Sequence, residues 1–63
     1  MKSYNSRELF KLAKEQGFRL DRINGSHHIF VNDLTKVEVV IPHPRNSYPP
    51  KTQYNILKGL GLV

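Results

Sequence analysis

The sequence predicts an α+β domain in the order α-β-β-β-α, a three-stranded antiparallel sheet with two helices on one face. Three observations carry this. A segment of helical period stands at each end of the 63-residue chain. The middle of the chain alternates with the two-residue period of strands, and its turns are too short for crossover connections. Sixty-three residues make a single domain, residues 1–63, burying only about 60% of the surface exposed on unfolding.

The first helix is expected from Ser6 to about Gln16. Asn5 caps it, and Glu8 three residues on completes a capping box. Tyr4 is placed to staple onto Leu9. Leu9, Phe10, Leu12 and Ala13 make an apolar stripe, Arg7, Lys11, Lys14 and Glu15 stay wet, and Gly17 stops the helix. Phe18 to Ile23 reads as the first strand, with Phe18 and Leu20 on one face and Arg19, Asp21 and Ile23 on the other. Asn24-Gly25 signals a hairpin turn, because both residues tolerate positive φ. His27 to Val31 is the second strand, Asn32-Asp33 opens the next turn, and β-branched Val37 to Ile41 is the third, ended by Pro42. Phe18, Leu20, Phe30, Val37, Val39, Ile41 and His28 then share the core face, opposite His27, Ile29, Glu38 and Val40. The proline-rich loop from Pro42 to Pro49 carries His43 and Arg45. Pro50 suits the first position of a last helix, which packs Ile56, Leu57 and Leu60 and ends before Gly61.

Composition narrows the function. The chain has no cysteine, which removes disulfides, thiolate chemistry and cysteine-type zinc sites. Ten Lys and Arg against five Asp and Glu give +5, and all five acids lie at or before Glu38. Such an excess attracts phosphate-rich polymers. The first five residues hold no signal-peptide core and the apolar runs are far too short to span a bilayer, so no membrane association and a cytoplasmic location are expected. Glycine-rich nucleotide motifs are absent, and no cofactor is expected. Adjacent His27 and His28 point to opposite strand faces, which disfavours a shared metal ion. Ser26 beside His27 does not make a hydrolase triad, since sequence neighbours rarely have that geometry.

One reaction needs little machinery. RNA holds its 2′-hydroxyl beside the scissile phosphate, so cleavage by transesterification needs only proton transfer and stabilisation of the phosphorane charge. Histidine exchanges protons near neutral pH, and a rigid turn presenting Ser26 and His27 on a basic domain is a suitable mount.

Gly17-Phe18, Gly25-Ser26-His27-His28-Ile29-Phe30, Val40-Ile41-Pro42-His43-Pro44, Ile56-Leu57-Lys58 and Gly61-Leu62 together resemble the HicA (YcfA-like) family of toxin ribonucleases over essentially the whole chain. The resemblance implies a double-stranded-RNA-binding-like fold. It also implies an mRNA interferase that arrests translation as the toxin of a type II toxin–antitoxin system, neutralised by a cognate HicB-like antitoxin. The histidine after Gly-Ser carries the family's activity, which transfers to His27 as general acid or base; His28 inherits no role. Lys51-Thr52-Gln53 replaces the usual Gly-Thr-Leu at the start of the last helix, and Pro49-Pro50 is unusual, so antitoxin seating there is open to change.

The expected substrate-binding set is Gly25 and Ser26 at the turn, Arg22 across it as charge partner, and Lys36, Arg45 and Lys51 along the RNA backbone. A monomeric free toxin is expected, forming a hetero-oligomer with an antitoxin that covers Ile23, Ile29 and Val40 beside His27. The alternative is a non-catalytic double-stranded-RNA-binding module of the same fold.

Overall fold

A computed structural model describes residues 2–63 and shows helix α1 (Ser6–Glu15), strands β1 (Arg19–Asn24), β2 (His27–Val31) and β3 (Glu38–Pro42), and helix α2 (Pro50–Gly59). Met1, and with it the first residue of the N-terminal reading, lies outside the described residues.

Both helices start and stop where their sequence dictates. The Asn5 side chain accepts the Glu8 N–H at 2.8 Å, and the Glu8 carboxylate accepts the Asn5 N–H at 2.9 Å, a complete capping box. At the other end Gly17 takes φ +86°, while Phe18 N–H reaches Ala13 O and Gly17 N–H reaches Lys14 O. The same pair of bonds closes α2 around Gly61, from Leu62 to Leu57 and from Gly61 to Lys58.

The sheet runs β1-β2-β3, all antiparallel. Leu9, Ala13, Phe30, Val39, Ile41, Ile56, Leu57 and Leu60 form the core between sheet and helices, with Phe18 and Tyr48 closing its sides. Tyr4, Phe10 and Leu12 pack half-buried against it. Helix α2 approaches β3 closely at Gly59, where a Cβ would lie 2.8 Å from Val39 Cγ2.

Four expectations change. Asn24 pairs with His27, so the hairpin loop is Gly25-Ser26 rather than Asn24-Gly25, with positive φ (+62°) at Gly25. That is the glycine-first pattern of a II′ turn. Second, a bulge inserts Asp21 between Leu20, which pairs with Phe30, and Arg22, which pairs with Ile29. The extra residue inverts the alternation beyond it. Ile23 therefore pairs with His28 on the helix face instead of joining the outer face. Third, Ile29 faces away from the helices yet is only 6% exposed, because it sits on the central strand between Arg22 and Val40. Leu20 and Val37, expected in the core, are exposed, since each lies toward a free rim of the sheet.

Candidate nucleic-acid-processing site

The β1–β2 hairpin, the end of β3 and the start of α1 meet at one end of the sheet. His27 opens β2 opposite Asn24 and Pro42, exposed on the outer face. His28, one residue on, pairs with Ile23 and Ile41 and points to the helix face. The expected split of the two imidazoles holds because the bulge lies in β1, before the turn, and leaves the β2 alternation intact. Among the described residues no three His, Cys, Asp or Glu side chains converge as a metal site would require.

The third imidazole is part of this end. The His43 N–H donates to Ser26 O at 2.8 Å, extending the β2–β3 ladder one pair past Pro42. Its side chain consequently falls on the helix face with Ile41. There His43 Nδ1 lies 2.6 Å from Ser6 Oγ, and its ring centroid is 5.0 Å from His28, edge-on. Phe10 lies against both imidazoles, at 5.1 Å from His28, stacked, and 5.0 Å from His43. Desolvation by its neighbours lowers the His43 pKa from the usual 6.5, and the charges of His28 and Arg7 lower it further.

Ser6 ties the loop to the helix. It is buried, its N–H donates to Arg45 O at 2.9 Å, and its Oγ accepts the Arg45 N–H at 3.3 Å. The Arg45 guanidinium lies 5.3 Å from the centre of the Tyr48 ring. The Tyr48 hydroxyl donates to Pro42 O, fixing the loop to the end of β3. A cleft of about 180 Å³ opens here, lined by residues 5–7 and 43–46, with no carboxylate among them.

The expected substrate-binding residues divide. Gly25, Ser26 and Arg45 lie at the His27 end. Lys36 adopts φ +65° in the β2–β3 turn, at the opposite end of the sheet, and Lys51 stands exposed in the first turn of α2. Arg22 is engaged on the outer face by Asp21 at 2.7 Å and Glu38 at 3.4 Å. Arg19 similarly holds Asp33 at 2.7 Å and Asp21 at 3.1 Å. These arginines hold both aspartates below the usual carboxylate range: Asp21 chiefly through Arg22, Asp33 chiefly through Arg19.

The sequence assigns His28 no role and leaves His43 in the proline-rich loop without one. The signal was present: Val39, Ile41 and His43 continue one alternation, and proline at an edge-strand end does not break it.

No helix among the described residues is long and apolar enough to cross a membrane. The family model described as the HicA toxin of bacterial toxin-antitoxin systems matches residues 6–62, which takes in all three histidines, Ser6 and Arg45. No curated protein matches the chain.

Proposed function

Because the chain belongs to the HicA toxin family of bacterial toxin–antitoxin systems, we propose that it is a metal-independent endoribonuclease that cleaves mRNA and is held in check by a HicB-like antitoxin. His27 is the general acid or base. It takes the proton of a 2′-hydroxyl as that oxygen attacks the adjacent phosphorus, or returns one to the departing 5′-oxygen. The Gly25-Ser26 backbone and the Ser26 hydroxyl position the phosphate, and Arg45 supplies positive charge to the phosphorane oxygens.

The observation that supports this most is the exposed imidazole of His27 directly after the two-residue Gly25-Ser26 turn, at the end of the sheet where the loop that follows β3 carries Arg45 beside a carboxylate-free cleft. Arg22 contributes less than its position suggests, because Asp21 and Glu38 already compensate its charge. Lys36 sits too far along the sheet to share a phosphate with His27, while Lys51 contributes a more distant backbone contact.

His27→Ala tests the reading. The side chain is exposed and makes no core contact, so the variant should keep the wild-type circular dichroism spectrum and melting temperature. Growth arrest on expression, and new 5′ ends in incubated mRNA, should both disappear. Cleavage retained by the variant refutes the role of His27, and wild-type cleavage abolished by EDTA refutes the metal-independent mechanism.

A further inference from the structure

The ten cations of the chain are unevenly spent. Arg19 and Arg22 share ion pairs with Asp21, Asp33 and Glu38 on the outer face. Two arginines and three carboxylates make that cluster −1. The other eight cations, against Glu8 and Glu15 alone, carry +6, which with the cluster's −1 gives the net +5. The positive field therefore arises outside the sheet's outer face.

Its most ordered part lies on α1. At 3.6 residues per turn, Arg7, Lys11 and Lys14 fall within roughly 60° of one another around the helix and span about 10 Å along it. All three are exposed, and among the described residues none makes an ion pair. Like charges at these spacings work against a helix, as does Arg7 near its N-terminus. A bound anion would relieve both. A cleft of about 530 Å³ follows this ridge, lined by Arg7, Phe10, Lys11, Lys14 and Glu15. Phe10 forms its flank and is also the ring against which His28 and His43 lie. Through Phe10 the ridge adjoins His28 and His43, the imidazoles on the helix face of that sheet end.

We propose that the exposed face of α1 seats the backbone of a single-stranded RNA, with phosphates on Arg7, Lys11 and Lys14 and an unstacked base against Phe10 and the His28–His43 pair. This rests on the reading of the protein as an RNA-cleaving toxin and locates the strand that enters its site. Single-stranded RNA fits better than a duplex because aromatic and imidazole rings beside a cationic track are what stack free bases. An acidic protein surface uses the lysines equally well, and the adjoining rings, aligned with the cationic track, favour RNA.

The test uses a short fluorescent RNA carrying 2′-O-methyl groups throughout, which removes the attacking hydroxyl and so separates binding from cleavage. Affinity is followed by anisotropy between about 50 and 200 mM NaCl, the range over which phosphate contacts show. Lys11→Ala/Lys14→Ala should reduce the slope of log K against log salt by about 1.4, at roughly 0.7 per lost contact to a single strand. Lys58→Ala, on α2, should leave it unchanged, and Glu15→Gln should tighten binding. Alanine at exposed helix positions preserves the fold, which circular dichroism verifies.

An unmodified RNA of the same sequence, incubated in parallel, reports on cleavage. Wild-type cleavage with an unaltered slope in the double lysine variant overturns the RNA seat alone. A reduced slope without wild-type cleavage upholds the seat and overturns the nuclease. If the variant binds RNA like wild type but loses neutralisation by its antitoxin, the ridge is a protein interface and the proposal fails.

Discussion

Replacing Ser6 by alanine probes how the loop at the histidine end of the sheet is held. Ser6 is 3% exposed, and its hydroxyl touches His43 Nδ1 at 2.6 Å and the Arg45 N–H at 3.3 Å. Alanine removes both contacts and leaves the Arg45 amide without an acceptor in a partly buried position. An unsatisfied buried donor costs about 1–3 kcal/mol. A 63-residue domain has roughly 3–9 kcal/mol in total, so the loss is a large share of the whole. Urea unfolding followed at 222 nm should show it. With a slope of about 1 kcal/mol/M, the midpoint should fall by roughly 1 M or more with the slope unchanged, and the melting temperature by on the order of 10 °C. The Ser6 N–H to Arg45 O bond survives the substitution, so helix content should be retained. A midpoint equal to wild type would refute the claim that Ser6 anchors the loop, and would leave His43 placed by Phe10 and the β2–β3 ladder alone.

Two further outcomes follow from the same geometry. The depressed His43 pKa means that the unfolded chain binds a proton there more readily than the native one, so stability should fall as pH drops below about 6.5 toward the lower native value. His43→Gln should flatten that limb of a melting-temperature profile, while the limb below the usual carboxylate value of 3.8, set by Asp21 and Asp33, should remain; an undiminished slope near pH 6 in the variant would assign it elsewhere. Gly25→Ala meets nothing within 4 Å but must hold φ +62°, so it should cost about 1–3 kcal/mol in urea unfolding through backbone conformation alone; an unchanged midpoint would refute the claim that the turn depends on glycine there.

The order of elements was legible because each boundary is written in local chemistry. Asn5 and Glu8 announce the first helix, Gly17 and Gly61 end the two helices, and Pro50 starts the second. Strand register was less legible. Nothing in Leu20-Asp21-Arg22 distinguishes a bulge from plain alternation, since Asp21 becomes an extra residue only when paired against Phe30 and Ile29. The same limit applied to the turn. Asn-Gly is a good loop pair, but the tertiary register made Asn24 the last paired residue and moved the loop on by one. The split between His27 and His28 was readable from strand period alone. Gathering His43, Ser6 and Phe10 was not, because it joins residues 37 positions apart through a loop whose path only folding decides.

The bulge also changes what can be expected of the antitoxin. Had Ile23 joined Ile29 and Val40 on the outer face, three apolar side chains beside His27 would have invited a hydrophobic cover. The inserted Asp21 sends Ile23 to the other face, and Ile29 is already buried by its own neighbours, which leaves Val40 as the exposed one of the three on that side. Around it lie Arg19, Arg22, Asp21 and Glu38 in exposed ion pairs that salt weakens and that contribute little individually. A partner seated over His27 therefore has little apolar area to remove from water there. It must draw its affinity from polar contacts to this network, or from contacts that wrap past the end of the sheet onto the cationic side of the molecule. By the second route a single partner covers both His27 and the proposed RNA seat on α1.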